Sequence, residues 1–195
     1  MTRITAGRYR GRRLQTPPGD TTRPTSERVR EALANALVAG GGLEGARVLD
    51  LYAGSGALGL ELISRGADSL VLVEHDRLAL VALRANVATL QAPDVQVVGS
   101  DVHTFASSPA ARPFDFVVAD PPYDVPTAEL TAMFSDLNSA GHLHPGADLI
   151  VERSRRSGEM MWPDPLIAVR TKKYGDTRLC YGRAPIDSST GNEPT

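Results

Sequence analysis

A single cysteine, Cys180, stands in a chain of 195 residues. That excludes an intramolecular disulfide and makes the cytoplasm the expected compartment. No run approaches the ~20 apolar residues of a membrane span, so no membrane partner is expected. The Arg-rich start also lacks the apolar h-region of a secretory leader. The four histidines are His75, His103, His142 and His144. His142-Leu143-His144 could be metal ligands, but without Cys, Asp or Glu at matching spacing the pair reads as a surface loop, and no metal is expected. Net charge is nearly absent too, at −2. The balance conceals an asymmetry. Residues 1–30 carry eight arginines (Arg3, Arg8, Arg10, Arg12, Arg13, Arg23, Arg28, Arg30) against Asp20 and Glu27, while the remainder is acidic. A cationic end on an acidic body suggests a polyanionic partner, with nucleic acid the first candidate.

With 42% apolar and 23% charged residues, the chain has the composition of a soluble globule with one sizeable core. Ile4–Leu14 places Gly7 and Gly11 around Arg-Tyr-Arg, the pattern of a short hairpin. Its arginines would crowd one surface, leaving Tyr9 to stack on a base. A Pro/Gly/Asp-rich linker follows at Thr16–Thr22. Thr25 or Ser26 then caps a helix running to about Val38. Val29, Ala32, Leu33, Ala36 and Leu37 fall on its buried face, and Arg28 and Arg30 off it. Arginine near a helix start opposes the macrodipole, which favours a ligand role for at least one of the two.

From Arg47 onward, strands and helices alternate. Strands are expected at Val48–Leu51, Ser69–Glu74, Val95–Val98, Phe114–Asp120 and Asp148–Glu152. Helices are expected at Ala57–Arg65, Arg77–Leu90 and Thr127–Leu137. This is the pattern of an α/β, doubly wound, mainly parallel sheet. Leu166–Tyr174 and Arg178–Arg183, joined at Gly175-Asp176, read as a closing antiparallel hairpin that completes seven strands. The boundaries are then a basic extension over residues 1–20, an α/β domain over 21–184 and a disordered tail over 185–195.

Two stretches carry chemistry. Asp50-Leu-Tyr52-Ala-Gly54-Ser55-Gly56-Ala-Leu-Gly59 joins the first strand to its helix and satisfies Gly-x-Gly-x-x-Gly, with Glu74 ending the next strand. Alone, this fits a nicotinamide dinucleotide, whose pyrophosphate would approach the glycines. Asp50 would sit close to that diphosphate, however, and Asp101 adds another acid after the third strand. No Tyr-x-x-x-Lys dyad exists in the sequence. A ligand with an amino-acid end, a ribose and an adenine but no phosphate suits this rim of acids, and S-adenosylmethionine is such a ligand. The second stretch is Asp120-Pro121-Pro122-Tyr123, a stiff turn at a strand's carboxyl end that presents hydrogen-bond acceptors and a ring.

In this order, these motifs resemble class I S-adenosylmethionine-dependent methyltransferases acting on amino groups. Arg23-Pro24-Thr25, the Arg28–Leu33 helix and Lys173-Tyr174-Gly175-Asp176-Thr177 narrow the resemblance to the RsmD family. The family methylates the exocyclic N2 of a guanine in small-subunit (16S) rRNA. The likeness runs from about Arg3 to Arg183. It implies a Rossmann-like methyltransferase domain, with the basic extension contacting RNA. The donor would be held by Asp50, Tyr52, Gly54, Ser55, Gly56, Glu74, Asp101 and Thr25. The reacting amine would lie at Asp120, Pro121, Pro122 and Tyr123. RNA would meet Arg8, Arg10, Arg12, Arg13, Arg23, Arg28 and Arg30, whether naked or within a 30S particle, with the protein acting as a monomer. Three alternatives remain open: amino-methylation of DNA adenine or cytosine or of a protein glutamine, a nicotinamide-dependent oxidoreductase, and a non-catalytic RNA-binding module.

Overall fold

A computed structural model describes residues 2–17, 27–39 and 42–186. Arg23, Thr25, the helix cap, most of the linker and nearly all of the tail lie outside the described residues. A two-stranded ribbon, β1 (Thr2–Arg3) and β2 (Arg13–Leu14), comes first, then α1 (Glu27–Ala39). The body follows as β3 (Arg47–Leu51), α2 (Ala57–Ser64), β4 (Ser69–Glu74), α3 (Arg77–Leu90) and β5 (Val95–Gly99). It continues with α4 (Val102–Ser107), β6 (Phe114–Ala119), α5 (Thr127–Ser139), β7 (Leu143–Ser154), β8 (Ile167–Tyr174) and β9 (Thr177–Arg183).

The seven-stranded sheet has the order β5-β4-β3-β6-β7-β9-β8. Strands β3 to β7 are mutually parallel, and β9 and β8 close the edge antiparallel. The central strands are apolar on both faces because both are covered. Leu33, Leu60, Leu72 and Leu83 pack beneath α1–α3, while Leu49, Val117, Met133 and Phe134 pack beneath α4 and α5. Strand order reverses between β3 and β6, which opens a crevice at their carboxyl ends. The glycine loop follows β3 and Asp120 follows β6, so topology alone brings the two chemical motifs together. No helix among the described residues is long and apolar enough to cross a membrane.

The basic hairpin is packed down on α2. Glu61, wholly buried, accepts from Thr5 N at 2.8 Å, Thr5 Oγ1 at 2.6 Å, Ala6 N at 3.1 Å and Arg65 Nε at 2.7 Å. Burial pushes its carboxyl upward, but the bonds from Thr5 and Arg65 outweigh this and hold it below its ordinary value. Arg30 corrects two expectations. It is 1% exposed, donates to Arg3 O at 2.7 Å and lies 3.8 Å from Glu61, so it belongs to the buried face and fastens the hairpin. A guanidinium committed there cannot meet RNA. Tyr9 is corrected as well: its ring is half-buried against the core, with Arg8 stacked 4.9 Å from its centre. His142 is no surface loop. It is buried, its Nε2 lies 2.8 Å from Ser108 O, and its ring packs against Phe105 and Phe114.

Candidate active site

Leu51 is the last residue of β3, and the chain then turns through Tyr52 at φ +58, the left-handed region a side chain rarely adopts. Such strain is retained where surroundings over-determine it, commonly at functional sites. The Tyr52 ring is partly buried against the core. Burial first, then the nearby Asp101 and Glu129 charges, push its hydroxyl up to about 12, so it stays protonated. Gly54 follows at φ +56, and a Cβ built there would meet nothing within 4 Å, which leaves an open cradle.

The three glycine amides of this loop are already committed. Gly54 N donates to Glu74 Oε2 at 2.8 Å, Gly56 N to Ala53 O at 2.7 Å and Gly59 N to Asp50 Oδ2 at 2.8 Å. A pyrophosphate site needs such amides free and anions absent. Here a carboxylate occupies the Gly54 amide, which counts against a pyrophosphate at that glycine. A donor with hydroxyls and a cationic centre suits the same groups.

Asp50 is 1% exposed beneath the loop rather than at its mouth. Burial drives its carboxyl up to about 8 against the pull of the Gly59 amide, with Asp120 and Glu74 adding like-charge repulsion. Glu74 Oε1 also accepts from His75 N and Asp76 N, each at 2.7 Å. With three of about four lone-pair positions used, a ribose hydroxyl has one direct place to bind. Asp101 is exposed and spends Oδ1 on the first turn of α4, accepting from His103 N at 2.9 Å and Thr104 N at 3.2 Å. Sequence patterning did not show that helix, which is only six residues long. Ser55 lies between the cradle glycines, and its carbonyl accepts from Asn86 Nδ2 at 2.9 Å.

Across the crevice, Asp120 N donates to Leu51 O at 3.4 Å, which joins the acceptor turn directly to the donor strand. Pro121 is buried and Pro122 exposed. Pro122 O accepts from Val125 N at 3.1 Å, so Pro122 closes the turn. The Tyr123 ring stands outward, 42% exposed. Two residues that pattern reading missed support this architecture. Arg153, 3% exposed at the end of β7, donates to Val125 O at 3.0 Å and so braces the turn. Asn86 exchanges hydrogen bonds with Gln15, its Oδ1 accepting at 2.7 Å and its Nδ2 donating at 3.0 Å, and thereby links the hairpin's exit to the glycine loop. A charge ending an apolar strand run was a usable signal for Arg153. A lone Asn inside a helix offered none.

The arginines divide. Arg8, Arg10, Arg12 and Arg13 are exposed on the hairpin, and Arg28 is exposed on α1. Arg8 N donates to Ser64 O at 2.8 Å, at the end of α2 remote from the glycine loop. An eight-residue helix puts that end about 12 Å from the donor cradle. The hairpin arginines therefore sit toward the end of α2 away from the glycine loop.

Comparison with known proteins agrees with the geometry. Residues 2–183 match the family described as Conserved hypothetical protein 95. Ribosomal RNA small subunit methyltransferase D of Escherichia coli K12 is 43% identical over 121 residues, which is 62% of this chain and 60% of that protein. The protein of the same name from Haemophilus influenzae is 33% identical over 176 residues, covering 89% of each chain. The solved structure of yhhF from Escherichia coli superposes with a TM-score of 0.82 at 35% identity, covering 95% of this chain and 98% of that one. With the family match running almost from end to end, the chain belongs to this family, the RsmD group of class I methyltransferases.

Proposed function

We propose that the protein transfers a methyl group from S-adenosylmethionine to the exocyclic N2 of a guanine in small-subunit rRNA. One observation carries the reading: the acid-lined glycine cradle and the Asp120-Pro121-Pro122-Tyr123 turn face one crevice, tied by the Asp120–Leu51 backbone bond. Asp50, Glu74 and Asp101, with the Gly54 cradle, would hold the donor's amino-acid end, ribose and adenine. The donor, when bound, supplies an electrophilic methyl on a sulfonium.

The chain's part is to orient the other reactant. An aryl amine's lone pair is delocalised into its ring and is a poor nucleophile. Asp120 and the Pro121 carbonyl are acceptors that can fix the two N–H bonds and turn the lone pair toward the cradle. As nitrogen becomes cationic, the Asp120 carboxylate stabilises it and stands ready for the departing proton. Tyr123 stacks on the base, which must first leave its neighbours in the RNA. Both halves of the site come from one chain, which supports a monomer, and the exposed arginines support a polyanionic substrate. The relatives' printed names support rRNA as that substrate.

The test is incubation of the full chain with labelled S-adenosylmethionine and, in parallel, naked small-subunit rRNA, 30S particles and DNA. Nucleoside mass analysis should find N2-methylguanosine in one of the rRNA forms. Label in DNA adenine or cytosine alone would overturn the substrate assignment.

A further inference from the structure

Beside Tyr123 lies a cleft of about 450 Å³, lined by Ser154, Arg155, Arg156, Ser157 and Asp176. It is large enough for a nucleotide-sized group. It sits at the carboxyl edge of the sheet because β7 runs parallel to β6 and its last residue, Ser154, pairs with Thr177 at the start of β9.

The loop that forms it is held in shape. Arg178 donates through one nitrogen to the carbonyls of Ser154 at 3.3 Å, Gly158 at 3.0 Å and Ser157. Arg155 N donates to Asp176 O at 2.8 Å, and its guanidinium reaches Gly175 O at 3.4 Å. Arg156 N donates to Ser154 Oγ at 3.2 Å, while the Arg156 guanidinium makes no hydrogen bond or ion pair among the described residues. The surrounding stretch is cationic. Residues 153–178 hold seven Arg and Lys against Glu159, Asp164 and Asp176. This second basic region is masked in the whole-chain charge, and it is the one beside the acceptor turn.

Resting on the nucleic-acid reading above, we propose that this cleft is a phosphate site, in which Arg155 and Arg156 grip the RNA backbone adjacent to the base delivered to Tyr123. Guanidiniums suit phosphate through forked, charge-assisted hydrogen bonds, and the Ser154 and Ser157 hydroxyls offer further donors. Asp176 limits how deeply an anion can enter, which favours a backbone phosphate passing across the mouth over a free polyphosphate seated within. Phosphate contacts of this kind position a strand without reading its sequence. The hairpin arginines, at the far end of α2, grip a separate part of the substrate.

The experiment measures binding of a fluorescein-labelled small-subunit rRNA fragment across a salt series, for the wild-type protein, R156Q and R155Q/R156Q. R156Q is the safer variant because its side chain supports no loop contact. R156Q is expected to weaken RNA binding about fivefold and to lower the salt slope by roughly 0.7–0.9, with a larger loss in the double variant. Donor affinity should stay within twofold. An R156Q slope and affinity equal to wild type would overturn the cleft assignment. Failure of the function is read separately: a wild-type protein that binds the RNA but transfers no label from S-adenosylmethionine defeats the methyltransferase reading, while the slope comparison still decides the cleft.

Discussion

Glu74, the last residue of β4, accepts the amide of Gly54 at 2.8 Å, so the acid expected to meet the ribose also holds the glycine loop in shape. Glu74→Ala would strip acceptors from three amides at once. The expected result is donor binding weakened at least tenfold, about 1.4 kcal/mol, with a thermal midpoint lower by several degrees. Titration calorimetry and a melting curve on the same preparation check this. Unchanged donor affinity would contradict the double role.

Asp50 predicts a pH dependence. Its folded pKa of about 8 lies far above its ordinary value of 3.8. The protonated form therefore stabilises the free protein, an effect fully present below about 3.8 and lost as pH rises through about 8. A cationic donor favours the ionised form, so donor affinity should increase from about pH 6 to about pH 8 and then level off. Asp50→Asn should flatten that profile. A flat wild-type profile would contradict the assignment.

Arg28 and Arg30 are neighbours on α1 with opposite fates. Arg30→Ala removes the buried bond to the Arg3 carbonyl and one of the two cations beside Glu61, which keeps Arg65, a loss of about 2–3 kcal/mol in denaturant unfolding. Arg28→Ala, on an exposed site, should change stability by less than ~0.5 kcal/mol. Equal stabilities for the two variants would contradict the buried placement.

Replacing the exposed hairpin arginines Arg8, Arg10, Arg12 and Arg13 by Gln should lower the salt slope of RNA binding by roughly 0.7–0.9 for each phosphate no longer neutralised. Donor affinity should not move. Substitution is the appropriate probe, because deleting the hairpin would uncover Glu61 and remove Ile4 and Leu14 from the core.

Much of this architecture was legible in the residues. Apolar strand runs separated by helical patterns specified the parallel sheet, and Gly175-Asp176 specified the closing hairpin, because burial on both faces and turn chemistry leave local traces. The placement of both motifs at strand carboxyl ends was legible for the same reason. What failed depended on contacts distant in sequence. Arg30 looked solvent-facing because its partners, Arg3 and Glu61, lie 27 and 31 positions away. Glu74 and Asp101 read as ligand acceptors, and their structural work on Gly54 and on α4 could not be seen. The six-residue α4 was too short for its periodicity to register. The cleft at Arg155 and Arg156 forms only when β7, β9 and the acceptor turn come together.

Asp120→Ala tests the central claim most directly, with single-turnover methyl transfer to rRNA and donor affinity measured on one preparation. Transfer should fall at least ~10²-fold, about 2.7 kcal/mol at the barrier. Donor binding should not weaken, since the Asp120 charge is among the influences that keep Asp50 protonated. Near-normal transfer by the variant would contradict the account.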